Sequence, residues 1–318
     1  MKIRLLSALA FTFAASIASA QDFPTKPITF VVPFAAGSAT DQIARALGQS
    51  VSEQGKQAVV IDNKPGASGF LAAQQVAKAQ PDGYTVLITT NTTHVANEHL
   101  FKSMPYDPVK DFAPITLLGK GGQIMIVNPK VEAKSVAEFI ALAKKQPGKL
   151  TFGSGSSSSR IAGELLQQMA GIQILHVPYK SNPMAITDLL GGQITFMVTD
   201  TATGVPQVKA GKLRALGVST QQRIALLPDV PTLDEAGVKG YDMGYWFAAY
   251  VPAGTPPAVV SRLNELLING VKSAAAKAFF DAAGSEMWTT TPDELAKFQA
   301  AETQKWGKVI KAAGIEPE

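Results

Sequence analysis

From Ile28 to Thr90, short apolar runs alternate with longer stretches of helical spacing, and that alternation leaves few folds open. "ITFVVPF" (28–34) has the length and β-branched content of a buried strand. "QIARALGQSVSEQG" (42–55) puts Ile43, Leu47 and Val51 on one helical face, with Thr40 or Asp41 suited to the N-cap. "AVVIDNKPGASG" begins as a strand over Ala58–Asp62 and breaks into a Pro/Gly turn. "FLAAQQVAKAQPDG" is an Ala-rich helix closed by Pro81 and Gly83, and "YTVLITT" is a third strand. Strand, helix, strand, helix, strand at this spacing predicts an α/β fold with parallel strands.

The pattern then repeats. "QIMIVNP", "KLTFGS", "ILHVPY" and "ITFMVTD" read as strands; "SVAEFIALAKKQPG", "SRIAGELLQQMAG" and "NPMAITDLLGGQ" read as the helices between them. The C-terminal part is mostly helical, notably "PPAVVSRLNELLINGVKSA" and "TPDELAKFQAAETQKWGKVIKAAG". No long linker interrupts the series, which predicts two tightly connected lobes.

Gly153–Ser159 holds two glycines and five serines, the composition of a flexible linker. Its flanks argue for a cradle instead, because a buried strand precedes it and an amphipathic helix follows. In open α/β sheets, ligands bind at turns after the carboxyl ends of strands. Helix N-termini there offer free N–H groups and a positive partial charge, which favour anions. Glycine admits close backbone approach, and hydroxyls add donors. "ITFVVPFAAGSATDQIARALGQ" follows the same plan as "LTFGSGSSSSRIAGELLQQ": an apolar-Thr-Phe strand, a Gly/Ser/Thr turn, and a helix opening Ile-Ala-x-x-Leu. Two such turns, one per lobe, predict a shared anion cradle. Phe34, inside the first turn, is placed to form a wall of it.

Residues 1–20 are expected to be a signal peptide, with basic Lys2 and Arg4, an apolar stretch and a small-x-small site at Ala18-Ser19-Ala20. Cleavage after Ala20 leaves 298 of 318 residues and lowers the formal charge from +4 to +2. That charge is scattered and is no footprint for nucleic acid or a membrane surface. There are no cysteines, so disulfides, thiol catalysis and Cys-ligated zinc are excluded. A chain of this size can bury about 75% of its unfolded surface and hold together without staples.

The motifs of common catalytic chemistries are missing. None of His94, His99 and His176 lies in an HExxH pattern, and no acidic loop has EF-hand spacing, so no metal site is expected. "FGSGSSSSR" lacks the Gly-x-Ser-x-Gly nucleophile elbow, the P-loop and the dinucleotide fingerprint, so neither a catalytic residue nor a cofactor is assigned. His176 is expected to pack within its strand. The cluster "YDMGYWFAAY" is expected to be mainly core.

"ITFVVPFAAGSATDQIARAL", "NKPGASGFLAAQQVAKAQPDGYTVL", "HVPYKSNPMAITDLLGGQITFM", "GKLRALGVST" and "YVPAGTPPAVV" occur in this order. Together they resemble the Bug family of periplasmic solute receptors, the extracytoplasmic components of tripartite tricarboxylate transporters. The resemblance spans nearly all of the chain after residue 20. It implies a type II periplasmic-binding-protein fold, α/β, with two lobes closing over a small organic anion such as an amino acid, a di- or tricarboxylate or an aromatic acid. It implies that the two turns grip one carboxylate through backbone N–H groups, hydroxyls and water. Carried onto this chain, the binding residues are Phe34, Ala36, Gly37, Ser38, Thr40 and Asp41 in the first turn, and Ser154, Gly155, Ser156, Ser157 and Ser158 in the second. Asp200 ends a strand where the family often has an acidic cleft residue, and Thr89, Thr90 and Asn91 are expected to face the cleft. This chain departs from the family's more frequent Gly-Gly-x-x-Asp first turn at Ser38, and Arg160 stands where a His is common. Arg160 and Lys180 could add charge to the site.

The chain is expected to cross between lobes near Gln123 and Tyr245, giving one lobe from 21–122 and 246–318 and the other from 123–245. The expected protein is a monomeric, non-catalytic periplasmic receptor that delivers its carboxylate to a membrane permease. The alternatives are a receptor for a signalling partner and an exported serine hydrolase working through one of Ser154–Ser159.

Overall fold

The computed structural model describes residues 23–318. The expected signal peptide, residues 1–20, lies outside the described residues. The first elements are β1 (Ile28–Val32), α1 (Ala39–Gly55), β2 (Val59–Asn63), α2 (Phe70–Ala77) and β3 (Thr85–Thr90). A π-helical turn, Thr92–Ala96, and α3 (Asn97–Leu100) lead into β4 (Phe112–Val127). Then come α4 (Val136–Lys145), β5 (Thr151–Ser154), α5 (Ser157–Ala170), β6 (Leu175–Pro178), α6 (Asn182–Gly191), β7 (Phe196–Asp200), α7 (Thr201–Lys209) and β8 (Arg214–Val218). The chain finishes with β9 (Gly244–Pro252), α8 (Pro257–Val271), α9 (Ala274–Ala283), β10 (Glu286–Met287) and α10 (Pro292–Ala312).

Among the described residues, ten strands form one curled sheet in the order β2-β1-β3-β9-β4-β7-β5-β6, with β8 and β10 also on β4. β1 runs parallel to β2 and β3, and β5 parallel to β6 and β7, as the βαβ spacing requires. The expectation of parallel strands stops there. β9 runs antiparallel to β3 and to the first part of β4, and the last part of β4 runs antiparallel to β7 and β8. β4 changes partners at one point: Gly122 pairs with Gly244 of β9, and Gln123 pairs with Asp200 of β7. The result is a mixed α/β fold of two lobes.

Apolar faces hold each half. Ile43, Leu47 and Val51 of α1 pack with Leu263, Leu266 and Leu267 of α8 over β1 and β3. In the other half, Phe152 of β5 lies between Phe196, with ring centroids 5.6 Å apart, and His176 at 4.8 Å. All five aromatics of "YDMGYWFAAY" are buried, as expected of core. The Tyr241 hydroxyl satisfies its polar end by donating to the Ala162 carbonyl at 2.7 Å.

Candidate functional site

The serine run is the start of a helix. Ser156 is the N-cap of α5, in extended conformation, and its hydroxyl accepts from the Ser159 N–H. α5 therefore begins two residues earlier than its hydrophobic spacing shows, and Ser157 and Ser158 lie in its first turn. The first turn is built alike. Its N-cap is Ser38, not Thr40 or Asp41, and the Ser38 hydroxyl accepts from the Asp41 N–H at 3.2 Å. Gly37, at φ 83°, takes the left-handed conformation that aims the chain into α1.

These two helix starts meet across a narrow pocket that opens to solvent. On one side stand Phe34, Ser38, Ala39, Thr40 and Thr90, with Tyr245 and Phe247 from β9; on the other stand Gly155, Ser156, Ser158, Asn182 and Asp200, with Gln123 of β4 at the floor. No lysine or arginine among the described residues lines it. Among the described residues, the N–H groups of Ala39, Thr40, Ser157 and Ser158 have no backbone or side-chain acceptor. Unpaired first-turn donors at two converging helix N-termini give the pocket hydrogen-bond donors and positive partial charge of the kind that complements an anion. Burial pushes the Tyr245 phenol far above its ordinary pKa, so it stays a neutral O–H.

Eight of the fifteen residues proposed from the sequence line this pocket: Phe34, Ser38, Thr40, Thr90, Gly155, Ser156, Ser158 and Asp200. The others are placed elsewhere. Ala36 and Gly37 shape the turn without lining the pocket. Asp41 points away from the pocket, taking hydrogen bonds from the Gly37 N–H at 2.9 Å, Asn63 at 3.0 Å and Arg45 at 3.0 Å. Burial pushes its carboxyl up, but Arg45, Gly37 and Asn63 together hold it below the ordinary range. Asp41 is thus the brace of the first turn.

Thr89 and Asn91 are fully buried, because strand alternation sends Thr90 to the pocket and its neighbours to the opposite face. Thr89 bonds Thr93, hydroxyl to hydroxyl, at 2.7 Å, and both amide atoms of Asn91 are buried without a protein partner. Ser157 donates to the Asn97 Oδ1 at 2.8 Å, tying α5 to α3 across the cleft. Ser154 pairs its hydroxyl with His176 Nε2 at 2.7 Å. Burial first, then the Arg160 charge, lowers the His176 pKa to about 4.

Ser154, Ser157, His176, Arg160 and Lys180 line a second, wider chamber that shares Phe34, Gly155 and Ser156 with the first. Trp246 lines neither; its indole donates to Glu302 at 3.1 Å on the far side of the crossing strands.

Asp200 caps α7, accepting from the Thr203 N–H at 2.9 Å and from Asn182 Nδ2 at 2.7 Å, so its lone pairs are already engaged by the protein. Asn182, missed from the sequence, is the centre of this arrangement: its Oδ1 accepts from the Gly155 N–H at 2.9 Å. The signal was there in "SNP", a helix start after a strand with Ser181 at the N-cap position and Pro in the first turn. Gln123, Tyr245 and Phe247 were also missed as lining residues. Tyr245 and Phe247 are two apart in β9, and that spacing alone puts them on one face.

Behind the pocket, His94 is wholly buried and stacked on Tyr250 at 3.8 Å, with Nε2 unpartnered, and burial lowers its pKa to about 3. A histidine depressed in the fold stabilises fully above its unfolded pKa, near 6.5, and loses that contribution as pH falls toward the folded value. Stability is therefore expected to decline from pH 6.5 to pH 4, with His94 and His176 both contributing. His94→Phe should flatten this decline in denaturant titrations at pH 7, 5.5 and 4; an unchanged slope would exclude His94 as a source.

A family model described as the tripartite tricarboxylate transporter family receptor matches residues 43–315. The protein BugT of Bordetella pertussis is 33% identical over 318 residues, covering 98% of this chain and 98% of that protein. Among solved structures, R. palustris Rpa4515 with adipate is 35% identical at a TM-score of 0.90, covering 93% of this chain and all of the other. MatC (Rpa3494) from Rhodopseudomonas palustris with bound malate is 29% identical at a TM-score of 0.86, over 91% of this chain and all of the other. The periplasmic binding protein BugD matches at 32% identity and a TM-score of 0.89, over 93% and 100%.

Proposed function

Since the chain belongs to the tripartite tricarboxylate transporter receptor family of periplasmic solute-binding proteins, we propose that it binds a small organic carboxylate between its lobes and delivers it to a membrane permease. The observation that carries this reading is the meeting of the α1 and α5 N-termini, with the unpaired N–H groups of Ala39, Thr40 and Ser158, around a pocket lined by no basic side chain among the described residues. Such a pocket recognises an anion by fixed dipoles and charge-assisted hydrogen bonds, which are strong where water is excluded. Adipate and malate in the two R. palustris relatives are acids of the class we assign here.

The lobes are proposed to divide where β4 changes partners at Gln123 and where β9 begins, giving 21–122 with 246–318 and 123–245. Closure then moves the α5 start against the α1 start and buries the carboxylate. The protein is proposed to act as a monomer in the periplasm after cleavage behind Ala20, and to catalyse nothing. The Ser154–His176 pair does not argue otherwise. Among the described residues no carboxylate bonds the other ring nitrogen of His176, and a pKa near 4 makes it a weak base.

The test is a thermal-shift screen of refolded residues 21–318 against amino acids, aliphatic di- and tricarboxylates, and aromatic acids. Ligand at 1,000 times its Kd adds about 4 kcal/mol, expected to raise the midpoint by several degrees. A selective rise with one group of acids is expected. A flat response from the refolded protein to every acid would overturn the reading.

A further inference from the structure

The inner pocket takes one anionic group with no basic side chain, yet two basic side chains stand in the outer chamber next to it. The chambers share Phe34, Gly155 and Ser156, so a ligand whose carboxylate sits at the helix starts can extend its other end past Phe34 into the outer one.

Arg160 projects there from the first turns of α5. Its Nε is buried with no hydrogen-bond partner, and its Nη1 is held by the side-chain carboxylate of Glu318. Glu318 is fixed to the other half of the molecule, its N–H donating to the Leu100 carbonyl and its main-chain oxygen accepting from the Lys102 N–H. Lys180, exposed on the same wall, makes no ion pair among the described residues. Glu164, one turn further along α5, is the other acid within reach of the Arg160 charge. The chamber thus has a guanidinium already gripping a carboxylate, and an ammonium with none.

The geometry points to a second carboxylate subsite formed by Arg160 and Lys180, with the Glu318 side chain as its internal occupant, which a dicarboxylate ligand displaces. This rests on the inner pocket binding the first carboxylate as proposed above. The ligand is then an acid with carboxylates at both ends, and the Arg160–Glu318 pair is a competitor it must break. Arg160 lies on α5 and Glu318 on the opposite wall, so the exchange also trades a contact between the lobes for one through the ligand.

The probes are α,ω-dicarboxylates of four to eight carbons and monocarboxylates of the same lengths, titrated calorimetrically into the refolded protein. The best diacid is expected to bind at least about tenfold more tightly than its monoacid, the value of one charge-assisted contact. Lys180→Met and Arg160→Gln should each reduce that ratio, weakening the diacid more than the monoacid. Glu318→Gln should raise diacid affinity, by up to about fivefold for a partly exposed pair. Circular dichroism checks the fold of each variant, and the exposed Lys180 keeps the test valid if Arg160→Gln unfolds. An equal diacid-to-monoacid ratio in wild type and Lys180→Met overturns the second subsite while leaving the first intact. Reduced diacid affinity in Glu318→Gln overturns the competitor role. Failure of wild type to bind any acid overturns the carboxylate reading itself.

Discussion

Ser158→Asp is expected to abolish carboxylate binding, with a loss of at least about 100-fold, while leaving the free protein at least as stable as wild type. Ser158 is the second residue of α5, whose first turn carries no acid, and it lines the inner pocket. A carboxylate there meets the positive end of the helix and the unpaired N–H groups, which stabilises the helix start by about 0.3–1 kcal/mol. It also takes the ligand's place and repels its charge. Ser158→Ala, losing one hydroxyl, should cost only about 1 kcal/mol of binding. Calorimetry with the acid found in the screen, beside a melting curve of each free variant, separates the outcomes. Wild-type affinity in Ser158→Asp would remove the anion from the α5 start.

Gly155→Ala should damage both the fold and the site. A Cβ at Gly155 would stand 1.9 Å from the Ser181 carbonyl carbon and 2.1 Å from the Asn182 nitrogen. Those are backbone atoms, and no rotamer change clears them. The α6 start must retreat, and with it go the Gly155 N–H bond to Asn182 and the Asn182 bond to Asp200. Overpacking of this kind costs about 1–3 kcal/mol and occasionally more, and the pocket wall formed by Asn182 and Asp200 is displaced with it. The expected result is a destabilisation of about 3 kcal/mol in urea titration, with binding reduced by two orders of magnitude or more. Gly191→Ala is the control, since its added Cβ meets nothing nearer than 3.9 Å. Equal stability of the two variants would show that the α5 and α6 starts are not packed this closely.

What was legible in the sequence was local. The strand-to-helix turns at Phe34 and Gly155 could be read because period and punctuation both change there. Cap identity was less accessible: the helical spacing points to Thr40 or Asp41, and Ser38 takes the position. The choice of Ser38 leaves Asp41 free for Asn63, a residue 22 positions away. Thr89 and Asn91 were set in the cleft with Thr90 because the end of β3 was known but not which face it turned inward. Asn182 depends on α6 docking against the second turn, a contact between segments 27 residues apart. β4 was read only from Gln123 onward, because Gly119, Lys120, Gly121 and Gly122 break the apolar run; the strand continues through them since β9 supplies its hydrogen bonds.

The place of β9 between β3 and β4 sets an order of assembly. β3 pairs Leu87 with Tyr250, 163 residues further on. A chain emerging N-terminus first has β1, β2 and β3 ready long before their neighbour exists, and one edge of β3 stands bare meanwhile. The segment carrying β5, β6 and β7 can pair within itself in that interval, since its strands lie close in sequence. The half that holds the first helix start is therefore completed last, and its open edge is where a nascent chain is most exposed to mispairing and most in need of a chaperone.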